Sequence, residues 1–442
     1  MSLTSYLNDL VNKSHRAFQQ HTNLRWMNPY QAMELENQRD SILQSFSDQV
    51  NWSFKDTKPW VNSLSKGCQL CGEGQWSCLF ITGLCNANCF YCPASQQADQ
   101  LPTTQQFEFD SALDYATYIN KMKFKGVSFS GGEPLLYFDR LVDYIRTIRK
   151  ACSPEIYIWM YTNGKLFTRE KAEILGELGL DEIRFDIGAT NYRFDTLEFA
   201  KGLIPNITVE IPAVPEKLDL IKGLIPELIA SGVTNLNLHQ MRLTEYNASK
   251  LEQHPYTYLH GEAPVVAESE LTALEIIQFV DDQKISIGVN YCGFQYKNRF
   301  QKSAFRRKLA EEFVGSLAWI TEAGYLGQLV AYKEESPLQP ISISLENFLL
   351  QHDQYHHVDI SFFGLSLLQK KESVIDEFEI VIGNKTYLAS QKATSPVLVI
   401  LKDDFTSLIE IISGKTQSPP ERDDLFFIWQ HTIIETGFRD YM

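Results

Sequence analysis

Seven short β-rich runs recur between Cys78 and Val289, and each is followed by a segment long enough for a helix. They are Cys78–Thr82, Gly126–Ser130, Ile156–Tyr161, Glu182–Asp186, Ile207–Ile211, Asn235–His239 and Ile285–Val289. Strands that alternate with helices in this rhythm pair in parallel, because a parallel pair needs a long crossover connection. Helical candidates with apolar residues three or four apart lie between the runs, at Ser111–Lys121, Tyr137–Lys150, Arg169–Leu178, Lys217–Ala230 and Leu271–Asp282. The pattern predicts an α/β fold, a partial (β/α) barrel. A doubly wound open sheet is the alternative, since periodicity does not show closure.

In such barrels the chemistry sits on the loops at the C-terminal ends of the strands. Here those loops are polar or glycine-rich. The first run leads into a loop with Cys85, Cys89 and Cys92, the second into Gly131-Gly132-Glu133-Pro134, and the third into Thr162-Asn163-Gly164. The later ones end at Asp186-Ile-Gly188, Pro212–Pro215, His239–Arg242 and Tyr291-Cys292-Gly293. Three stretches divide the chain: a helical N-terminal extension over 1–66, the barrel over 67–295, and a smaller α+β region over 296–442. The last carries strand-like Ile341–Ser344, Phe378–Ile382 and Pro396–Leu401 and a helical end at Phe426–Glu435.

Hydrophobic residues at 44% and charged residues at 21% suit a chain with a large core rather than a disordered one. No apolar stretch approaches the roughly 20 residues that span a bilayer, and Met1–Tyr30 lacks a signal-peptide apolar block. The expectation is a cytoplasmic protein without a membrane partner. A net charge of −15 disfavours non-specific binding to nucleic acid. One basic stripe runs against that balance, with Lys297, Arg299, Lys302, Arg306, Arg307 and Lys308 close together. It reads first as a solvated helix face and second as an anion site.

Six of the eight cysteines fall between Cys68 and Cys92. In a long chain without a secretion signal, that crowding points to metal or redox chemistry rather than disulfides. Three thiolates in a CxxxCxxC loop can hold one face of an iron–sulfur cluster and leave one iron open. Structural zinc is the competitor, but such sites normally close with four ligands. A glycine pair lets the backbone approach a neighbour closely, and a carboxylate is the natural partner of an ammonium group.

Cys85-Asn-Ala-Asn-Cys89-Phe-Tyr-Cys92, with aromatic Tyr91 before the third cysteine, resembles the signature of the radical S-adenosylmethionine (SAM) superfamily. Gly131-Gly132-Glu133-Pro134 is similar to its second motif, which holds the methionine ammonium. The likeness spans roughly Gly67 to Cys292. It is nearest to an uncharacterised group related to pyruvate formate-lyase activating enzymes. It implies the partial barrel of that superfamily, a 4Fe-4S cluster on Cys85, Cys89 and Cys92, and SAM bound on the open iron. Tyr91, Gly131, Gly132, Glu133, Pro134, Asn163, Arg184 and Asp186 are then the cofactor-binding candidates. Glu210 stands where activating enzymes often have an arginine for the SAM carboxylate, which leaves Arg184 or Arg242 for that role.

The resemblance implies reductive cleavage of SAM to a 5′-deoxyadenosyl radical, followed by hydrogen abstraction from a peptide, protein or small metabolite. A reductant such as flavodoxin or ferredoxin would supply the electron. Transfer of the 3-amino-3-carboxypropyl group and a zinc-stabilised binding protein are the other readings. Asp186 and His239 are the catalytic candidates, and a hydrogen-bonded barrel histidine is the plainer reading of His239. Cys68, Cys71 and Cys292 are candidates for a second site holding zinc or an auxiliary iron–sulfur cluster. However, Cys71 precedes the first strand and starts at the opposite end of the barrel from Cys292. The N-terminal segment would have to fold back to join them.

Overall fold

The computed structural model describes residues 3–437, apart from 106, 334–337, 370–377, 383–384, 394–396 and 417. Contacts divide the chain into two units, Leu10–Lys297 with Gly437–Met442, and Met1–Asp9 with Asn298–Thr436.

In the larger unit seven strands form the parallel part of one sheet: β1 (Trp76–Leu84), β2 (Gly126–Gly131), β3 (Tyr157–Thr162), β4 (Glu182–Phe185), β5 (Asn206–Pro212), β6 (Asn235–His239) and β7 (Gly288–Cys292). Each pairs in parallel with the next, so spatial order follows chain order with no reversal. A doubly wound sheet needs a point where the order turns back, and this path has none. Among the described residues β1 and β7 do not pair, which leaves the barrel open.

The sequence runs place six of the strands to within about two residues, while the seventh lies three residues later than its run. Helices follow the strands, among them Ala112–Lys121, Phe138–Ala151, Arg169–Glu177, Leu218–Ala230 and Ala267–Asp282. Ser111 and Thr168 cap two of them by accepting from the backbone N–H three residues on.

The segment before the barrel is helical over Pro29–Ser45, where Asn28 and Gln31 form a capping box. It also contains a hairpin, Val50–Ser53 with Lys58–Val61, whose second strand pairs antiparallel to β7. Its turn puts Phe54, Lys55 and Asp56 at positive φ. Neither glycine nor asparagine marks it, and Asp56 is its one residue of a usual turn type.

Alternation along the strands separates two faces. Ile183, Val209, Leu236, Leu238 and Val289 are buried and form part of the apolar core. The lumen face is polar. Arg184 lies at its centre, bonding Glu182 (2.9 Å) and Glu210 (2.7 Å). Thr208 donates to Glu182 at 2.7 Å, and Asn237 donates to Glu210 at 3.0 Å. Burial opposes ionisation of Glu210, but Arg184 and His239 hold its carboxyl well below the usual range.

A short helix, Lys66–Gly72, capped by Ser65, plugs this lumen. A side chain at Gly67 would collide with the Arg184 guanidinium, and Leu70 packs on Gly126. The Cys68 thiol meets Asn237 Nδ2 at 3.3 Å and Arg184 Nη1 at 3.7 Å. The N-terminal segment thus does fold back, which carries Cys68 and Cys71 inside the barrel.

The smaller unit is built on an antiparallel sheet of Ala318–Ile320, Leu326–Lys333, Tyr355–Gln369, Lys385–Ala393 and Phe378–Ile382, in that order. Val358, Ile360 and Phe362 pack with Phe405, Leu408, Phe426 and Trp429. Pro396, in the strand expected at Pro396–Leu401, lies outside the described residues. Within the basic stripe, Arg299 pairs with Glu435 at 3.4 Å and Arg306 donates to the Ala323 carbonyl at 2.8 Å. Both are internal structural contacts. Among the described residues no helix is long and apolar enough to cross a membrane.

Removing one partner from a buried ion pair leaves its counter-charge without compensation, at a cost of about 3–5 kcal/mol. Arg184→Met leaves both Glu182 and Glu210 in that state. Urea unfolding is expected to show a loss of about that size, with more of it recovered in the triple variant Arg184→Met/Glu182→Gln/Glu210→Gln.

Candidate active site at the strand ends

The cysteine loop begins where β1 ends, and the glycine turn begins where β2 ends. Backbone hydrogen bonds join them. The Gly132 N–H donates to the Thr82 carbonyl at 2.8 Å, and the Glu133 N–H donates to Leu84 at 2.8 Å. Side chains at Gly131 or Gly132 would run into the Thr82 and Leu84 carbonyl oxygens. Gly131 also sits at φ +121°, a conformation that glycine alone adopts without strain. The glycine pair is therefore required by the approach of one strand end to another, before any ligand is considered.

Glu133 is wholly buried. Its carboxylate accepts from the Leu135 N–H (3.0 Å), Thr162 Oγ1 (2.8 Å) and the Asn163 N–H (2.7 Å). This ties the glycine turn to the end of β3. A carboxylate offers about four acceptor positions, and these three bonds leave one. Burial raises its pKa, and the same hydrogen bonds oppose that rise. Asn163 continues the chain of contacts, with Nδ2 donating to Asn86 Oδ1 at 2.7 Å and lying 3.7 Å from Cys85 Sγ.

On the other side of the loop, Tyr91 donates to Asp186 at the end of β4, with oxygen separations of 3.0 and 3.1 Å. Burial pushes the Asp186 carboxyl up to about 6. A second clamp, absent from the sequence reading, comes from the segment after β6. Asn247, almost fully buried, donates to the Tyr91 carbonyl at 3.1 Å and to the Arg242 carbonyl at 2.8 Å. Thr244 Oγ1 donates to Pro93 at 3.0 Å, and Lys250 Nζ donates to Asn88 Oδ1 at 2.6 Å and to the Cys89 carbonyl at 3.3 Å. No motif signals these residues. They reach the loop only because the barrel brings β6 round beside it.

The loop offers three partly exposed thiols and no disulfide. An all-thiol donor set suits iron–sulfur chemistry. The Ala87 N–H points at Cys85 Sγ at 3.4 Å, the kind of contact that stabilises a thiolate ligand. Burial raises the Cys89 thiol to about 11, so metal binding there would release a proton. Among the described residues no three His, Cys, Asp or Glu side chains close round a single ion.

The remaining candidates lie elsewhere. Arg184 is only 3% exposed and already serves two carboxylates in the lumen. His239, at the end of β6, has both ring nitrogens engaged: Nε2 with Glu210 and Nδ1 with Lys297 Nζ at 2.7 Å. Ionised Glu210 accepts a hydrogen bond from Nε2–H, so Nδ1 accepts from the lysine. Burial and Lys297 both lower the His239 pKa.

Cys68, Cys71 and Cys292 gather around the buried Lys58, whose Nζ stands 4.5 Å above the Tyr296 ring. Burial alone would lower the Lys58 pKa, but the three thiols and Glu210 raise it instead. Tyr296 Oη also contacts Cys71 Sγ at 3.8 Å.

Residues 79–219 match the radical SAM superfamily. A Methanocaldococcus jannaschii protein named as a glycyl-radical enzyme activating enzyme is 28% identical over 305 residues, which is 64% of this chain and 78% of that one. The GTP 3′,8-cyclase of Limosilactobacillus fermentum is 34% identical over 107 residues, 24% of this chain and 31% of that one. Among solved structures, Streptococcus suis SuiB with its precursor peptide SuiA is 10% identical with a TM-score of 0.39, covering 71% of this chain and 68% of that one. The cysteine loop, hydrogen-bonded to the glycine turn at the ends of sequential parallel strands, lies within the superfamily match, so residues 79–219 carry a radical SAM domain.

Proposed function

We propose that the chain reductively cleaves SAM and uses the resulting 5′-deoxyadenosyl radical to take hydrogen from a peptide, protein or small metabolite. The observation that carries this reading is the joining of three strand ends through Gly132, Glu133 and Asn163 onto the loop of Cys85, Cys89 and Cys92. When bound, a 4Fe-4S cluster supplies the electron that breaks the sulfonium bond of SAM.

The residues divide the remaining work. Cys85, Cys89 and Cys92 would hold the cluster as thiolates. The remaining acceptor position of Glu133 and the turn from Gly131 to Pro134 would receive the methionine ammonium. Tyr91 and Asp186 orient one side of the loop and Asn163 the other, which keeps the two motifs in register. Asp186, raised to about 6, is poised between its two protonation states under mildly acidic conditions. Arg184 compensates Glu182 and Glu210 beneath the site, and its engagement with both favours that structural part over one on the cofactor.

The likeness to a glycyl-radical enzyme activating enzyme supports a protein substrate and an external reductant such as flavodoxin or ferredoxin.

Anaerobically purified protein is expected to carry about four irons and matching sulfide per chain, and to release 5′-deoxyadenosine from SAM with dithionite. Cys89→Ala should lose both. Methylthioadenosine in place of 5′-deoxyadenosine would favour 3-amino-3-carboxypropyl transfer, and zinc without SAM cleavage would sink the reading. Asn247→Ala leaves the Tyr91 and Arg242 carbonyls without their donor, at about 1–3 kcal/mol. Amide exchange at Phe90–Cys92 should quicken and iron should be lost faster to a chelator, while the global unfolding midpoint moves little.

A further inference from the structure

The segments that follow β6 and β7 place hydrogen-bond donors together beside the strand ends, with no acid among them. Phe294 lies at the centre. Lys297 Nζ stands 5.0 Å from its ring centroid and the Arg242 guanidinium carbon 5.6 Å from the same centroid. Two cations are thus held on one aromatic ring, and among the described residues neither has a carboxylate partner. Lys297 donates to His239 Nδ1, which is a neutral acceptor. Burial lowers the Arg242 pKa.

A third donor is nearby. Gln240 is 3% exposed, and its Oε1 accepts the Phe294 N–H at 3.0 Å. That bond fixes the orientation of the amide, and its buried Nε2 has no partner. Buried donors in folded proteins are almost always satisfied. An orphaned one on the residue that holds Phe294, whose ring carries two cations without a carboxylate partner, calls for an acceptor from outside the chain.

The placement selects what that acceptor is. Arg242 is on the segment that Asn247 binds to the cysteine loop, so the donors stand next to the proposed radical site. Like charges held together in a partly desolvated place repel, and a doubly bonded oxyanion relieves the repulsion while satisfying the amide. The chain as a whole is strongly acidic. A local positive lip therefore stands out electrostatically and would steer an anion to this face.

We propose that Gln240, Arg242 and Lys297 form a subsite for an anionic group, a carboxylate or phosphate, on the substrate. This rests on the radical SAM reading for its meaning but not for its measurement, because the donors belong to the chain. Lys297 has a second part in it: an anion there would draw its ammonium from His239 and leave Nδ1 open as an acceptor at the strand end.

The test is titration of the anaerobically purified holoenzyme with inorganic pyrophosphate, with and without saturating SAM. Affinities for SAM and decarboxylated SAM are measured beside it. The expected result is salt-sensitive pyrophosphate binding that persists with SAM present and weakens at least tenfold in Arg242→Gln/Lys297→Met. The conservative pair Arg242→Lys/Lys297→Arg should recover most of it, which separates lost charge from lost folding. The ratio of SAM to decarboxylated SAM affinity should be the same in parent and variant. If that ratio collapses in the variant, the anion is the carboxylate of SAM and the substrate subsite is overturned. Absent binding in the parent, or equal binding in the variant, overturns it as well. Iron content and 5′-deoxyadenosine release report separately on the radical reading.

Discussion

Two backbone hydrogen bonds, from Gly132 and Glu133 to the carbonyls of Thr82 and Leu84, hold the site together. They bring the end of β2 against the end of β1 at the point where the cysteine loop departs. A Cβ at Gly132 would occupy the space of the Leu84 carbonyl. The closeness that a glycine pair permits is used here for strand against strand. A ligand bound at the turn would gain from a backbone already fixed, which lowers the ordering cost of binding. Glu133 extends the same logic to β3, because its buried carboxylate needs donors and finds them at Thr162 and Asn163.

Beneath the site the barrel has a charged lumen rather than the layered aliphatic interior common to closed barrels. Glu182, Arg184 and Glu210 are stabilised there only as a set, with Thr208, Asn237 and Ser65 supplying the remaining hydrogen bonds. Such networks are costly when incomplete. The short helix from Lys66 completes this one, and its glycine at position 67 makes room for the guanidinium. The same helix delivers Cys68 and Cys71 to the neighbourhood of Lys58, Tyr296 and Cys292. The Lys58 ammonium is buried among them.

The loop after β6 serves both the cysteine loop and the cationic lip. Asn247 binds two carbonyls, one on each. That contact is a property of packing, since Tyr91 and Asn247 are distant in sequence.

The strand rhythm and the loop chemistry were legible from the amino acids alone. Alternation of period two against period three to four reflects burial on one face, so it survives in any sequence that folds this way. The cysteine loop, the glycine turn and Asp186 were legible because their chemistry restricts residue type. Less was visible wherever a residue acts through a distant partner. Arg184 read as a cofactor ligand, yet it is enclosed by Glu182 and Glu210, and one strand cannot announce its neighbours' charges. The hairpin before Lys58 was silent because its turn uses left-handed backbone at Phe54, Lys55 and Asp56 without glycine. The sequence by itself determined the parallel architecture and the donor set of the loop. The tertiary structure alone decided that the N-terminal helix fills the lumen, that Asn247 clamps the loop, and that Gln240, Arg242 and Lys297 meet at Phe294. The physical reason is that these contacts join residues far apart in the chain, and their energies depend on burial and distance, which no local pattern encodes.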